Sequence, residues 1–299
     1  MADNQQLLAL DVGQSGSRIS INGELKSIQR AMHAGEPVEN TVAAILENLR
    51  VDAPKVALSL TGLYGDVGDV SRFKEVCHKY SNTKEVLVID DGLANLAGSL
   101  QGQSGVSLTL GGGVVAVGGN NGAFSHSDGL SSFFGDEGGG FWLGSRGLTR
   151  ALATRDERDS EFELMTFFEN EIKEYDELKS KNSPEANLLA IKTAEKLLIA
   201  ADNQIPIALK IRNEGAALLA KTVVSAWRKI GTENSSFLVT ISGGLSRNKN
   251  YQLGIIEEIN KLEPKANLIE PKGDNLAGAI WLFENIKEDV RPMLGWARS

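Results

Sequence analysis

The sequence predicts an α/β fold built from two similar halves, and three features of the 299-residue chain point that way. Apolar runs of strand length alternate with amphipathic runs of helical length, as they do where helices cover sheets. The order of elements before about residue 104 returns after it, each half opening with a strand, a glycine tip and another strand. The third feature is a pair of near-identical helix starts, "ANLAGSL" at 94–100 and "DNLAGAI" at 274–280. The expected domains are 1–104 and 105–299, the second with a helical insertion over about 150–230 and a last helix free to pack back on the first domain.

The elements follow in order. "LLALDVG" and "SRISING" read as two strands around a glycine tip, and "VENTVAAILENLR" has helical spacing. "KVALSLTG" and "KEVLVIDD" are continuous apolar runs of the kind buried strands show, with helical "VSRFKEVCHKY" between them. "GLANLAGSLQG" is a helix of small residues. "GVSLTLGGGVVAVGG" with "AFSHSDG" is a glycine-tipped hairpin. From Gly139 to about Ala200 the chain is mostly helical; Ser160 and Glu163 have capping-box spacing, and Ser183-Pro184 fits an N-cap followed by proline at the first helical position. Pro206 opens a long helix to about Lys229. "SFLVTISGG" and "ANLIEP" are strands, and "NYQLGIIEEINKL" and "NLAGAIWLFENI" are helices.

Composition narrows the function. A net charge of −8 argues against nucleic acid or an anionic membrane surface as partner. No apolar run approaches the roughly 18 residues of a membrane span, and "MADNQQ" lacks the build of a signal peptide, so a cytoplasmic protein is expected. The single cysteine, Cys77, excludes an internal disulfide or a one-chain cysteine cluster and lies on an apolar helix face as a core thiol. The three histidines, His33, His78 and His126, have no metal spacing.

The glycine tips carry the chemistry. No Gly-Lys-Ser/Thr follows either tip and neither opens a helix, which rules out a Walker loop and a dinucleotide fingerprint. What remains is a turn of bare backbone amides, suited to phosphate oxygens. Gly13 and Gly16 with Ser15 and Ser17 form one such turn, and Gly111, Gly112 and Gly113 the other. Asp11, ending an apolar strand beside the first turn, suits Mg²⁺ held through water. Asp90 and Asp91 end another buried strand just before a helix: Asp91 is placed as the base that takes a proton from an attacking hydroxyl, Asp90 as cap or support. In "FFGDEGGGFWLG", Asp136 and Glu137 stand between glycines at an apparent helix start, Asp136 suited to accept hydrogen bonds from sugar hydroxyls; Phe134, Phe141 and Trp142 read as core. Gly243 and Gly244 of "ISGGLSRN" leave room for a flat adenine and ribose against the backbone.

Together "LDVGQSGSR", "VIDDGLANLAG", "FFGDEGGGFWLG", "ISGGLSRN" and "EPKGDNLAGA" resemble the N-acetylglucosamine kinase branch of the BadF/BadG/BcrA/BcrD ATPases, in the actin-like ATPase/sugar kinase superfamily. The resemblance implies two ribonuclease-H-like (actin-like ATPase) domains related by internal duplication, with an ATP–Mg²⁺ cleft between them. It also implies ATP-dependent phosphorylation of an amino sugar, usually at the 6-hydroxyl. Asp11, Gly13, Gln14 and Ser15 match the first phosphate motif of that family, Asp91 the catalytic base, Asp136 the sugar-binding aspartate, and Gly243 and Gly244 the adenosine motif. The second loop reads Gly111-Gly112-Gly113-Val114 where the family commonly has Gly-Thr-Gly-Ser. Two other readings stand beside the kinase: a non-catalytic sugar or nucleotide sensor, suggested by that loop, and an ATPase activator of a dehydratase or reductase, which a lone cysteine disfavours. The sequence leaves a homodimer open.

Overall fold

The computed structural model describes residues 6–13, 16–32, 36–231 and 235–298. The chain forms two compact units, one of residues 1–103 and 271–299, the other of residues 104–270.

The first unit is built on a six-stranded sheet. Its strands are β1 (Leu7–Gly13), β2 (Gly16–Ile21), β3 (Glu24–Ile28), β4 (Lys55–Leu60), β5 (Glu85–Asp90) and β11 (Leu294–Arg298), in the spatial order β11-β5-β4-β1-β2-β3. β1, β2 and β3 form an antiparallel meander; β4 joins β1 in parallel, β5 joins β4 in parallel, and β11 closes the edge antiparallel to β5. Helices α1 (Val38–Leu49), α2 (Ser71–Ser81) and α3 (Asp91–Leu100) lie in the same stretch of chain, and α10 (Asn275–Asn285) joins them from the far end. Leu8, Leu10, Val56, Leu58, Val86 and Val88 are fully buried, which is why these strands read as unbroken apolar runs. Cys77 lies in this core, where burial pushes its thiol up to about 12.

The second unit repeats the plan. Its strands are β6 (Gly105–Leu110), β7 (Val114–Asn120), β8 (Ala123–Asp128), β9 (Phe237–Ser242) and β10 (Ala266–Leu268), in the order β10-β9-β6-β7-β8. Again a three-stranded antiparallel meander takes a parallel strand, β9, on its first member, and β10 joins β9 in parallel. Numbered within each unit, both sheets share the order 3-2-1-4-5, to which the first adds β11 as a sixth strand at its edge, so the duplication expected from the element order is present in the strand topology. The helices are α4 (Gly140–Arg155), α5 (Phe162–Phe167), α6 (Glu169–Glu177), α7 (Pro184–Asp202), α8 (Pro206–Arg228) and α9 (Lys249–Leu262), with a 3₁₀ turn at Gly244–Arg247.

Several expectations change. The second unit stops at Glu270: the last helix, α10, packs back on α3 of the first unit, as the sequence left it free to do, and β11 pairs with β5. The two near-identical helix starts therefore lie against each other: a Cβ at Gly98 would run into the Asp274 carbonyl, and one at Gly278 into that of Ala94. Strands β3 and β11 had no sequence expectation. The Ser160–Glu163 capping box does not form; α5 starts one residue later, with Glu161 at the cap position and no side-chain cap bond. Ser183 does cap α7, accepting from the Ala186 amide at 3.3 Å with Pro184 at the first position. Among the described residues no helix is long and apolar enough to cross a membrane.

Candidate active site

In the first unit, Asp11 lies in the middle of β1, directly opposite Arg18 on β2 and Ser59 on β4. Neighbours on the same sheet face meet side by side, and all three side chains join. Arg18 pairs with Asp11 Oδ2 at 2.6 Å, and the Ser59 hydroxyl donates to Oδ1 at 2.8 Å. Asn275, at the start of α10, adds a donor to Oδ1 at 3.3 Å and accepts from Asn95 of α3 at 3.0 Å. Asn95 and Asn275 hold the same place in the two echoed helix starts. Arg18 also pairs with Asp274, which caps α10 by accepting from the Ala277 amide at 3.1 Å.

The corner from β5 into α3 separates the two adjacent aspartates. Asp90 is the N-cap, buried, accepting from the Gly92 amide at 3.0 Å and from the Gly65 amide at 2.9 Å. Asp91 is the first helical residue, so its divergence from Asp90 comes from the strand-to-helix turn and not from strand alternation. Burial, reinforced by the negative charges of Asp90 and Asp11, raises the Asp91 carboxyl to about 7; a bond from the Thr61 hydroxyl opposes the shift. A carboxylate raised toward neutrality is what a general base needs at physiological pH.

Gly13 and Gly16 face each other where β1 turns into β2. Gln14 and Ser15, expected at this tip, lie outside the described residues. The Ser17 hydroxyl donates to the Arg30 carbonyl at 2.7 Å, which leaves it a structural hydroxyl.

In the second unit, the tip joining β6 to β7 is Gly111–Gly113. The first two amides of α4, on Gly140 and Phe141, donate to the Gly111 and Gly112 carbonyls at 2.8 and 2.9 Å. The Gly111 amide turns inward to Gly113 O at 3.0 Å. Of the three glycine amides expected to face a phosphate, those of Gly112 and Gly113 have no protein partner among the described residues.

Asp136 packs against the same tip. Its Oδ1 accepts from the Val114 amide at 2.9 Å, and its own amide donates to Asp128 at 2.9 Å. It sits at φ +57°, a left-handed conformation costly for a non-glycine residue and common at functional positions. Partial burial and the nearby Asp128 raise its carboxyl pKa, against the effect of the Val114 amide. A Cβ on Gly113 would come within 2.8 Å of the Asp136 carboxylate, so the bare second loop makes room for this acid. Asp136 and Glu137 precede α4 rather than opening it; the helix begins at Gly140 with no acid in its first turn, and Glu137 is exposed. Trp142 is core as expected, but Phe134 is 86 % exposed and belongs to the surface loop with Phe133.

Gly243, at φ +96°, abuts the end of β6, where a Cβ would run into the Leu110 carbonyl; open space surrounds the Cβ position of Gly244. Both glycine motifs of this unit thus meet at one sheet end. A cavity of about 210 Å³ between α4 and α8 is lined by Arg146, Arg150, Lys210 and Glu214, among others, with the Arg146 guanidinium 4.2 Å from the Trp142 ring centroid.

The sequence reading missed Arg18, Ser59, Thr61, Asn95 and Asn275. Only the last two carried a signal, their matched position in the repeated Asn-Leu-Ala-Gly. No cluster of three or more His, Cys, Asp or Glu side chains among the described residues is placed to hold a metal ion. Both oxygens of Asp11 already accept protein hydrogen bonds, which fits a hydrated ion met through water better than one bound directly.

A duplicated 3-2-1-4-5 strand order with a glycine turn whose Gly112 and Gly113 amides have no protein partner among the described residues suits a nucleotide-handling class. The BadF/BadG/BcrA/BcrD ATPase family profile matches residues 11–281, and the chain belongs to that family. The N-acetylmuramic acid/N-acetylglucosamine kinase of Clostridium acetobutylicum is 25% identical over 223 residues, covering 71% of either chain. Among solved structures, a proposed N-acetylglucosamine kinase from Chromobacterium violaceum aligns with TM-score 0.68 at 19% identity, covering 93% of this chain and 99% of that one. A ROK family glucokinase from Streptomyces griseus, in complex with glucose and AMPPNP, aligns with TM-score 0.58 at 14% identity, covering 93% and 98%. These likenesses are of fold.

Proposed function

We propose that the protein is an ATP-dependent sugar kinase that phosphorylates an amino sugar, N-acetylglucosamine or glucosamine, at the 6-hydroxyl. The observation that carries this reading is Asp91, a half-buried carboxyl raised to about 7 at a strand-to-helix corner. Phosphoryl transfer asks little covalent chemistry of a protein; it asks for positioning, charge stabilisation and an acceptor for the hydroxyl proton. Asp91 takes that proton. Thr61 orients its carboxylate, and the Asp90 cap fixes the corner on which it stands.

The amides of Gly13, Gly112 and Gly113 receive phosphate oxygens, and Gln14 and Ser15 are assigned to the same role by the motif they match. Gly243 and Gly244 accept the adenosine. Asp136 accepts from sugar hydroxyls through Oδ2, which has no hydrogen bond from the described residues, and Glu137 adds a further acceptor. Asp11 would hold a hydrated Mg²⁺ through water, and the ion would supply neutralising charge to the phosphates of ATP. The name of the Clostridium relative supports the amino-sugar class. The activator reading loses ground because Cys77 is buried in the first unit's core and not at a surface.

The test is an ATP-consumption screen over N-acetylglucosamine, glucosamine, N-acetylmannosamine, glucose and nucleosides, with products read by phosphorus NMR. A sugar 6-phosphate from an amino sugar is expected. ATP hydrolysis that no sugar stimulates would remove the kinase reading.

A further inference from the structure

The loop after β4, residues 61–70, carries an aromatic side chain that neither the fold nor the mechanism uses. Tyr64 is 76% exposed, whereas Leu63, Val67 and Val70 of the same loop are buried at 8% or less. The loop is therefore pinned to the core, and one large ring alone points outward. Its backbone is left-handed at four places: Gly62 (φ +80°), Tyr64 (φ +52°), Gly65 (φ +78°) and Gly68 (φ +57°). Glycine adopts that region freely and a tyrosine does not. At three of the four positions the chain uses glycine; at the fourth it keeps a ring despite the strain. Tyr64 is the one aromatic residue with positive φ among the described residues.

The loop is also tied to the proposed base. Thr61 at its start donates to Asp91, and the Gly65 amide donates to Asp90 at 2.9 Å. Tyr64 is thus held, by its neighbours on either side, to both members of the aspartate pair. Strain of this kind persists where the surroundings fix it, and it gathers at ligand-binding positions. A pyranose offers hydroxyls for Asp91 and a face of C–H groups with no polar partner. An exposed aromatic ring is the complement of that face.

We propose that Tyr64 binds the acceptor sugar, its ring packing on the apolar face of the pyranose and orienting the reactive hydroxyl toward Asp91. The proposal rests on the kinase reading above. It is tested with Tyr64→Gly, Tyr64→Ala and Tyr64→Phe, by steady-state kinetics in acceptor and in ATP and by thermal melting. Glycine relieves the left-handed strain while removing the ring, so Tyr64→Gly melts at or above the wild-type temperature. It nevertheless raises the acceptor KM by about tenfold or more, as expected for loss of a large apolar contact, and leaves the ATP KM unchanged. Tyr64→Ala shows the same kinetic split, and Tyr64→Phe behaves as wild type because the ring and not the hydroxyl makes the contact. If the wild type phosphorylates a sugar and Tyr64→Gly keeps its acceptor KM, the inference fails and the kinase reading stands. If Tyr64→Gly raises both KM values together and lowers the melting temperature, the role is structural and the inference fails. If the wild type phosphorylates no sugar, the kinase reading falls and the inference with it.

Discussion

At the scale of single residues, the raised carboxyl of Asp91, the proposed base, predicts how the reaction depends on pH. A base works only when deprotonated, so kcat/KM rises with pH through a midpoint near 7 and levels above it. A pH–rate profile with its ascending limb near pH 4, where ordinary carboxyls titrate, would contradict the assignment. The same shift acts on stability. The native Asp91 keeps its proton up to about 7, whereas an unfolded aspartate loses it near pH 4. Between those values the native state binds more protons, so this group's contribution to stability declines as pH rises. Asp91→Asn removes that decline. Its melting temperature relative to wild type should improve from pH 5 to pH 8, which calorimetry at the two pH values checks.

Asp136 gives a second residue-scale expectation. Gly113→Ala places a methyl against the Asp136 carboxylate, at the 2.8 Å approach noted above. The variant should raise the acceptor KM while α4 stays folded; unchanged acceptor kinetics would detach Asp136 from the sugar. The positions of Asp91 and Asp136 could be singled out from the sequence, because an acid at a strand end before a helix and an acid set between glycines are visible patterns. Arg18, Ser59 and Thr61 were not. Each reaches the site through strand register or loop folding, and nothing local distinguishes such an arginine or hydroxyl from any other polar residue on a sheet face.

At the scale of elements, the crossing of α3 with α10 depends on glycine. Gly98 and Gly278 each stand against a carbonyl of the other helix segment, with no room for a side chain. Gly144 of α4 stands in the same way against Ala190 of α7 in the second unit. Overpacking such a site costs roughly 1–3 kcal/mol or more. Gly278→Ala should therefore lower the melting temperature by several degrees and weaken the bridge from Asn95 to Asn275 beneath Asp11. A melting temperature within one degree of wild type would show that the crossing can spread at little cost. The echo of Asn-Leu-Ala-Gly was visible in sequence; that its two copies pack on each other was not, because the pattern marks a close-packing helix face without naming the partner. β3 escaped sequence reading because Glu24–Lys26 are exposed and give no alternation to read. β11 escaped because its five residues become a strand through the free edge of β5, at long range.

At the scale of the whole molecule, the chain leaves the first unit at residue 103 and returns to it at 271. The first unit is incomplete without its distant tail, which supplies α10, an edge strand and two side chains of the Asp11 network. A chain ended at Glu270 should keep hydrogen-exchange protection in β6, β7 and β9 and lose it in β4 and β5. Retained protection in β5 would mean that the tail decorates the first unit without completing it. The division of chemistry follows the same line. The proposed base and the first glycine turn belong to the unit that the tail completes, and the remaining glycine motifs and Asp136 belong to the inserted one.

The most direct measurement is a comparison of wild type with Asp91→Asn, following phosphate transfer from ATP to N-acetylglucosamine by phosphorus NMR, with ATP binding measured calorimetrically on the same samples. The expected result is sugar 6-phosphate from the wild type, none from the variant, and equal ATP affinity in both. Sugar phosphate formed by Asp91→Asn at the wild-type rate would contradict the account.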